Sequence, residues 1–240
     1  RLLMDRIKIL VLGGTHGNEK LGVQLVRLIQ QQPIAGVDAL IANPKAVKSS
    51  MRFFESDLNR SFGTDFPGTY EEKRAKYIRE ITNKFDVVLD FHNTQTANNN
   101  CSFVGMNCSP ILYKVAKTLN FTRCVEATYD CINKYCLNTI SIEISVNDQL
   151  DNARYWYKQI EQLVNIDSFE NLDKSLEIYR FKRRVTWEDK EKFGIKDWVP
   201  FCDISTSDKN NLGLSGIIVP IFIGSNLTEF YATLLSKEKE

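Results

Sequence analysis

The sequence lacks the features that would point to a nucleic-acid or membrane partner. Lys and Arg number 31 and Asp and Glu number 30, so the formal net charge of +1 gives no support for binding a polyanion. No apolar run is long enough to span a bilayer. The first six residues lack the apolar stretch of a secretory signal. We therefore predict a protein with neither a nucleic acid nor a membrane as partner.

The cysteines also lack a pattern. The six of them form no Cys-x-x-Cys pair. In a chain of this size they are typical of reduced thiols in a cytosol rather than of a disulfide framework. The composition therefore predicts a cytoplasmic protein.

Histidine is scarce, and its two occurrences are both in motif-like surroundings. His16 lies in Gly-Gly-Thr-His-Gly-Asn-Glu at residues 13–19, and His92 lies in Asp-Phe-His-Asn-Thr at 90–94. Each directly follows an apolar, strand-like run, and Glu19 lies three residues after His16. Either histidine alone could equally be structural. Together, two histidines and a carboxylate are the usual ligands of a catalytic zinc ion with an open fourth position.

Strand-like and helix-like patterns alternate over residues 1–166. Strands are predicted at 7–12, 37–42, 85–91 and 139–146, helices at 21–32, 70–84, 110–119 and 151–166, and a long charged loop at 45–70. This alternation predicts an α/β fold with a mainly parallel central sheet and helices on both faces. Ligands bind beyond the carboxyl ends of parallel strands, so His16, His92 and Glu143 are expected at one edge of the sheet.

The sequence changes character after about residue 170. The stretches 176–181 and 216–223 read as strands separated by turn-rich segments. We therefore predict a catalytic domain at 1–169 and a small, mostly-β C-terminal domain at 170–240.

Glu143 is a candidate proton carrier. A carboxylate between Ile142 and Ile144 is costly unless it is paired, protonated or near a metal, although strand alternation could instead turn it to solvent. A partly buried glutamate near a metal site is a good general base. Asp90, two residues before His92, could orient that ligand as a hydrogen-bond acceptor.

The charged loop holds Arg52, Asn59 and Arg60. Guanidinium groups bind carboxylates through two parallel hydrogen bonds. The same residues could simply form a solvated loop with internal ion pairs, and without further context that interpretation is the stronger one.

Three motifs in this order closely resemble those of the aspartoacylase family of zinc amidohydrolases, which is related to succinylglutamate desuccinylases and zinc carboxypeptidases. They are Gly-Gly-Thr-His-Gly-Asn-Glu, Asp-Leu-Asn-Arg and Asp-Phe-His-Asn-Thr. The likeness extends through Ile-Glu at 142–143 and Asp-Trp at 197–198 to Pro-Ile-Phe at 220–222, and so covers most of the chain. It implies a zinc-carboxypeptidase-like fold.

The resemblance implies a catalytic centre with one zinc ion. His16, Glu19 and His92 would bind the metal. Arg52 would contact the substrate and polarise the scissile carbonyl, and Glu143 would be the substrate-contacting acid/base.

The resemblance also implies substrate-binding residues. Asn59 and Arg60 would hold a carboxylate, and Tyr129 and Tyr231 would contact the substrate, with Tyr231 contributed by a C-terminal domain that partly caps the site. The family has an arginine for the substrate's side-chain carboxylate ten residues before the catalytic glutamate. Here that position is Asn133.

The resulting hypothesis is zinc-dependent hydrolysis of an N-acyl amino acid, foremost N-acetyl-aspartate to acetate and aspartate. One alternative is deacylation of another N-acyl amino acid, such as an aromatic one. Another is a carboxypeptidase-like peptidase, which a capping domain disfavours. A non-enzymatic, metal-stabilised binding protein is disfavoured by the complete set of ligands and Glu143. A homo-oligomer is left open.

Overall fold

The computed structural model describes residues 7–166, 175–224 and 230–238. The first six residues, which carry the prediction about a secretory signal, lie outside these ranges. Within them, no helix has both the length and the apolar character needed to cross a membrane. All six cysteines are described, and all are free thiols. The cytoplasmic location stays a prediction.

One sheet runs through the described residues. Its nine strands are β1 (Ile9–Gly13), β2 (Val37–Ile41), β3 (Val87–Thr94), β4 (Cys101–Gly105), β5 (Arg123–Ala127), β6 (Thr139–Ser145), β7 (Glu177–Thr186), β8 (Ile218–Ile221) and β9 (Phe230–Lys237). Their spatial order is β2-β1-β3-β6-β4-β5-β7-β9-β8. Five neighbouring pairs are parallel, while β4 with β6, β7 with β9 and β8 with β9 are antiparallel. The sheet is therefore largely parallel, as predicted, but mixed.

Helices cover both faces of the parallel strands. They are α1 (Lys20–Gln31), α2 (Pro44–Ser49), α3 (Tyr70–Thr82), α4 (Ile111–Thr118), α5 (Ile132–Tyr135), α6 (Ala153–Val164), α7 (Trp187–Phe193) and α8 (Thr206–Asn211). One face buries Val11 and Leu89 with α1, α4 and α6, and the other buries Leu12 and Val88 with α3 and α5. Burial on both faces explains the nearly continuous apolar runs in the sequence of β1 and β3.

The predicted loop at 45–70 is partly wrong, because it contains α2 and a 3₁₀ turn at Leu58–Arg60. The Asn43 side chain accepts a hydrogen bond from the amide of Ala46, and Pro44 occupies the first helical turn. Asn-Pro is therefore a helix start here rather than only the end of a strand, because proline is well suited to the first helical position.

The strands predicted after residue 170 exist as β7 and β8, whereas β4, β5 and β9 were not predicted. β7 pairs with β5 in parallel, so the C-terminal strands continue the same sheet. The division into two domains at residue 169 stays a prediction.

Two glycines let the turn after β1 pack tightly enough to place His16. A Cβ atom at Gly13 would lie 2.1 Å from the carbonyl oxygen of Gly22 in α1. A Cβ atom at Gly17 would lie 2.1 Å from the carbonyl carbon of Ala46 in α2. Only glycine fits such backbone approaches, and the turn is thereby fixed between the two helices.

Candidate active site

His16, Glu19 and His92 meet at the carboxyl ends of β1 and β3. One ligand atom from each lies within 4.8 Å of the others, and all three side chains are buried. Glu19 lies between the imidazoles: its Oε1 is 2.7 Å from His16 Nδ1, and its Oε2 is 3.0 Å from His92 Nδ1. The structure thus brings together the three predicted ligands, although Glu19 and His92 are 73 residues apart in the sequence.

A second carboxylate lies behind each imidazole. Asp90 Oδ2 is 2.7 Å from His92 Nε2, and Asp57 Oδ1 is 3.2 Å from His16 Nε2. Thr15 donates a hydrogen bond of 2.8 Å to the other oxygen of Asp90. Such acceptors fix the orientation of a ligating imidazole and raise its basicity. The prediction that Asp90 lies behind His92 agrees with this geometry, whereas Asp57 was not predicted.

The charges in this group favour a cation at its centre. Burial alone would lower the pKa of each imidazole, but Glu19 and Asp57 raise the pKa of His16 above its ordinary value. Asp90 and Glu19 likewise raise the pKa of His92 well above its ordinary value. Both imidazoles in turn hold the pKa of Glu19 below the ordinary carboxyl range, against the effect of burial. His16 and Arg52 do the same for the pKa of Asp57. Two nitrogen donors and an ionised oxygen donor form a set that fits zinc.

Arg52 borders the metal group. Its Nη2 lies 3.3 Å from Asp57 Oδ2, and its Nη1 lies 3.9 Å from Glu19 Oε1. Asp57 therefore links Arg52 to His16. The only signal of this in the sequence is that Asp57 begins the Asp-Leu-Asn-Arg motif, since the contact with His16 spans 41 residues.

Glu143 lies beside the metal group on the neighbouring strand. In the register of β3 with β6 it is the direct partner of His92. Burial raises the pKa of Glu143 to about 7, although the nearby His92 lowers it. A carboxyl with a pKa near neutrality can accept and return a proton at physiological pH.

A cavity of about 670 Å³ opens beside these residues. It is lined by seven of the residues predicted to form the site: His16, Glu19, Arg52, Asn59, Arg60, Tyr129 and Glu143. The lining residues that were not predicted include Phe53, Asp57, Arg184, Phe222, Phe230 and Thr233. The cavity thus combines a metal group and arginines with an aromatic wall that comes partly from the C-terminal strands.

Asn59 and Arg60 are tied to the start of α5 and the residues just before it. Asn59 Oδ1 accepts a hydrogen bond from the amide of Ile132 at 3.1 Å, and Arg60 Nη1 donates to the carbonyl of Asp130 at 3.0 Å. The 3₁₀ turn is thereby fixed against the wall that carries Tyr129.

Tyr231 is not among the described residues that line the cavity, so its contact with a substrate stays a prediction. It is 7% exposed and packs against Trp187 and Trp198, with ring centroids 5.2 and 5.8 Å away. Its neighbours Phe230 and Ala232 line the cavity instead. Successive side chains of a strand point to opposite faces. A shift of one residue along β9 is therefore enough to place Phe230 or Ala232, and not Tyr231, on the cavity side.

Asn133 is also absent from the described lining of the cavity. It is 2% exposed, donates to the carbonyls of Phe103 and Thr139, and accepts from Ser141. This position therefore serves the packing of α5 on the sheet and contributes no group to the cavity.

Glu71 organises the loop that carries Arg52 and Asp57. Its buried carboxylate accepts hydrogen bonds from the amides of Phe54, Glu55 and Ser56 at 2.6, 3.1 and 3.2 Å, and from the side chain of Asn43 at 3.0 Å. Burial would raise the pKa of Glu71, but these donors outweigh it and lower the pKa below its ordinary value. The loop therefore depends on one ionised group.

Replacing Glu71 with Gln should destabilise the protein by about 1–3 kcal/mol, because the amide NH₂ group would then face the two donors that now share one carboxylate oxygen. The pKa of Glu71 is lower in the folded protein than its ordinary value of 4.5. Its contribution is therefore complete above pH 4.5 and is lost as the pH falls through the folded pKa. Urea denaturation at pH 7 and below should show a difference in midpoint between the wild type and Glu71→Gln, and this difference should narrow below pH 4.5.

Glu80→Gln is the matched control, since Glu80 is an exposed carboxylate on the same helix. It should leave the urea midpoint unchanged. A Glu71→Gln midpoint equal to that of the wild type at pH 7 would contradict the organising role of this carboxylate.

Comparison with known proteins identifies the family. The model of the succinylglutamate desuccinylase/aspartoacylase catalytic domain matches residues 5–135, more than half of the chain. A protein of Trichodesmium erythraeum named "Probable aspartoacylase" is 31% identical over 185 residues, which are 66% of this chain and 62% of that protein. An N-acyl-aromatic-L-amino acid amidohydrolase (carboxylate-forming) of Xenopus tropicalis is 34% identical over 144 residues, which are 52% and 45%. This chain thus spans about half of the length of these relatives, between 45% and 62%.

A solved structure shares the fold. The succinylglutamate desuccinylase of Chromobacterium violaceum aligns with a TM-score of 0.75 over 98% of this chain and 86% of its own, at 14% identity. The matched catalytic-domain residues include both histidine motifs and the loop with Arg52 and Arg60. The chain therefore belongs to the succinylglutamate desuccinylase/aspartoacylase family.

Proposed function

We propose that this chain is a zinc-dependent amidohydrolase that deacylates an N-acyl amino acid, foremost N-acetyl-aspartate to acetate and aspartate. The observation that carries the proposal is the group His16–Glu19–His92 beside Glu143 on the wall of one cavity. The printed names of the relatives, an aspartoacylase and an N-acyl-aromatic-L-amino acid amidohydrolase, support hydrolysis of an amide in such a substrate. The cytoplasmic location, the two domains and a homo-oligomer remain predictions.

His16, Glu19 and His92 would hold the zinc ion, with Asp57 and Asp90 fixing the imidazoles. Zinc in such a site lowers the pKa of a water molecule and polarises a carbonyl oxygen. The remaining tasks fall to Glu143 and Arg52.

Glu143 would carry the proton. As the oxygen of water attacks the acyl carbon, Glu143 accepts a proton from that water, and it then returns the proton to the amine nitrogen as the C–N bond breaks. Arg52 would donate hydrogen bonds to the acyl oxygen while negative charge grows there, a role typically worth about 3 kcal/mol per donor. Its ion pair with Asp57 holds the guanidinium in place.

Arg60 and Asn59 would bind the α-carboxylate of the substrate. A net charge of +1 supplies little long-range attraction for an anion, so that attraction must come from a local group. Arg60 lines the cavity, and its hydrogen bond with Asp130 orients the guanidinium.

A second candidate is an N-acyl aromatic amino acid. Phe53, Phe222 and Phe230 line the cavity together with Tyr129, and apolar side chains of this kind accommodate an aromatic ring. The name of the Xenopus relative supports the same candidate.

The function is tested by measuring kcat/KM of the zinc-loaded protein on N-acetyl-aspartate, its α-amide and N-acetyl-phenylalanine. We expect hydrolysis of N-acetyl-aspartate to be the fastest. Preference for the aromatic compound would establish the second candidate, and cleavage of unacylated peptides alone would establish a peptidase.

The same substrates test Arg60. Arg60→Lys keeps the charge but cannot donate two parallel hydrogen bonds to a carboxylate. We therefore expect kcat/KM on N-acetyl-aspartate to fall about tenfold or more while zinc content stays unchanged. The α-amide should lose much less, because its carboxylate is already absent. Equal losses on acid and amide would show that Arg60 supports the loop and does not bind the substrate.

A further inference from the structure

We propose that Thr15 is a positioning residue for the metal group: its hydroxyl holds the carboxylate of Asp90, and Asp90 in turn holds the imidazole of His92. The inference rests on the zinc site of the proposed function and adds to it a residue that is not among those described as lining the cavity. It is carried by two buried hydrogen bonds in series, whose direction the neighbouring side chains determine.

Asp90 makes a separate hydrogen bond with each of its two oxygens. Its Oδ1 accepts from the Thr15 hydroxyl at 2.8 Å, and its Oδ2 lies 2.7 Å from His92 Nε2. Thr15 is 1% exposed, and Asp90 is fully buried. Because an ionised carboxylate only accepts hydrogen bonds, Nε2 is the donor of the second bond. The other ring nitrogen, Nδ1, is then the one that faces Glu19, at 3.0 Å.

A second hydroxyl lies near Asp90 but is used elsewhere. The Oγ of Ser141 is 3.5 Å from Asp90 Oδ2 and 3.0 Å from the side-chain oxygen of Asn133. Asn133 uses both hydrogens of its amide group on the carbonyls of Phe103 and Thr139, so its oxygen can only accept. The single hydroxyl hydrogen of Ser141 therefore points to Asn133 and away from Asp90.

Thr15 is thus the hydroxyl donor on which Asp90 depends in the described part of the chain. Without it, Oδ1 would be a buried carboxylate oxygen that lacks a hydrogen bond, which is a costly state. Asp90 could relieve this by turning toward Ser141, and His92 would then lose a partner of fixed direction. Threonine suits the role because two heavy atoms on Cβ restrict its χ1 angle and hence the direction of its hydroxyl.

One turn thereby positions both imidazoles of the metal group. Thr15 directly precedes His16 in the turn after β1, and Asp90 lies two residues before His92 on the same side of β3. The bond between Thr15 and Asp90 spans 75 residues of sequence and joins the turn that presents one ligand to the strand that presents the other. We therefore expect removal of the hydroxyl to loosen His92 within a folded protein.

The first test measures zinc affinity by competition with a chelator. Thr15→Val keeps the shape of the side chain and removes the hydroxyl. The dissociation constant for zinc should therefore rise about 10- to 100-fold, the usual effect of removing a group that orients a ligand. Thr15→Ser restores the donor and should stay within about threefold of the wild type.

Thr82→Val is the matched control. Thr82 is a fully buried threonine of α3, and its hydroxyl donates to the carbonyl of Arg79 at 3.0 Å. Its replacement removes a buried hydrogen bond of the same kind away from the metal group, so zinc affinity should stay unchanged. A purely structural role of Thr15 would make the two valine variants alike.

Nitrogen-15 NMR, recorded with and without added zinc, separates this inference from the proposed function. The chain has two histidines, so selective labelling of histidine reports on those two rings, and His16→Asn assigns them. Without zinc, the Nε2 proton of His92 should exchange with solvent at least about tenfold faster in Thr15→Val than in the wild type. Thr82→Val should exchange at the wild-type rate.

Faster exchange in Thr15→Val supports the inference even if the wild type binds no zinc, a result that would overturn the proposed function alone. An unchanged exchange rate would show that Thr15 only packs in the turn and would overturn the inference. An unchanged zinc affinity in Thr15→Val, where the wild type does bind zinc, would overturn it as well.

Discussion

His92→Ala should remove about one equivalent of zinc from the protein and abolish hydrolysis with it, because a catalytic zinc site has only three protein ligands. The His92 side chain is 1% exposed and hydrogen-bonds both Glu19 and Asp90, so its loss also leaves two buried carboxylates without their shared partner. Metal content by elemental analysis, with circular dichroism to confirm the fold, measures the effect. Stoichiometric zinc in the variant would exclude His92 as a ligand.

Asp57→Asn provides a graded comparison for the same site. Asp57 contacts the far nitrogen of His16 and is not itself one of the three ligands. Removing such a partner typically weakens metal affinity about 10- to 100-fold without removing the site. In competition with a chelator, zinc affinity should therefore be highest in the wild type, lower in Asp57→Asn and lowest in His92→Ala.

Glu143→Gln should keep the metal yet lose at least about a hundredfold in turnover, the usual contribution of general acid–base catalysis. The amide keeps the shape of the side chain but cannot accept a proton. Because the ionised carboxyl is the proton acceptor, wild-type kcat/KM should rise with pH through the pKa of Glu143, and the variant should lack that rise. Loss of zinc in the variant would make Glu143 a ligand instead.

Glu177→Gln is the control for this variant. Glu177 is a carboxylate of β7 that pairs with Lys237 outside the cavity lining. Its replacement should leave turnover and its pH profile unchanged.

The sequence predicted the parts of the fold that repeat a simple pattern. β1 and β3 carry apolar runs long enough to recognise, and β6 alternates between apolar and polar residues. Leu21, Leu25 and Ile29 give α1 a clear apolar face. β4 (Cys-Ser-Phe-Val-Gly) and β5 (Arg-Cys-Val-Glu-Ala) were missed because neither carries more than two consecutive apolar residues. The antiparallel insertion of β4 between β6 and β5 depends on long-range pairing, which no local pattern encodes.

The site was predictable where strand ends determine it. His16, His92 and Glu143 follow from the rule that ligands gather beyond the carboxyl ends of parallel strands. Asp57 was missed because its role depends on how a loop folds back over His16. Arg184 was missed because the run Lys-Arg-Arg at 182–184 looks like a solvated stretch of strand. Neighbouring side chains of a strand face opposite sides, and the sequence does not tell which arginine faces the cavity.

The order β5-β7-β9-β8 also bears on aggregation. β7 covers the backbone of β5 through parallel pairing from Arg123 to Glu126, and Val125, Tyr179 and Leu235 share one buried cluster. Without β7, the amides and carbonyls of β5 would form an open edge, and open edges recruit strands from other molecules. The C-terminal strands thus shield the half of the sheet that carries the metal group. We therefore expect a substitution that unpairs β7 to promote association between copies of the chain.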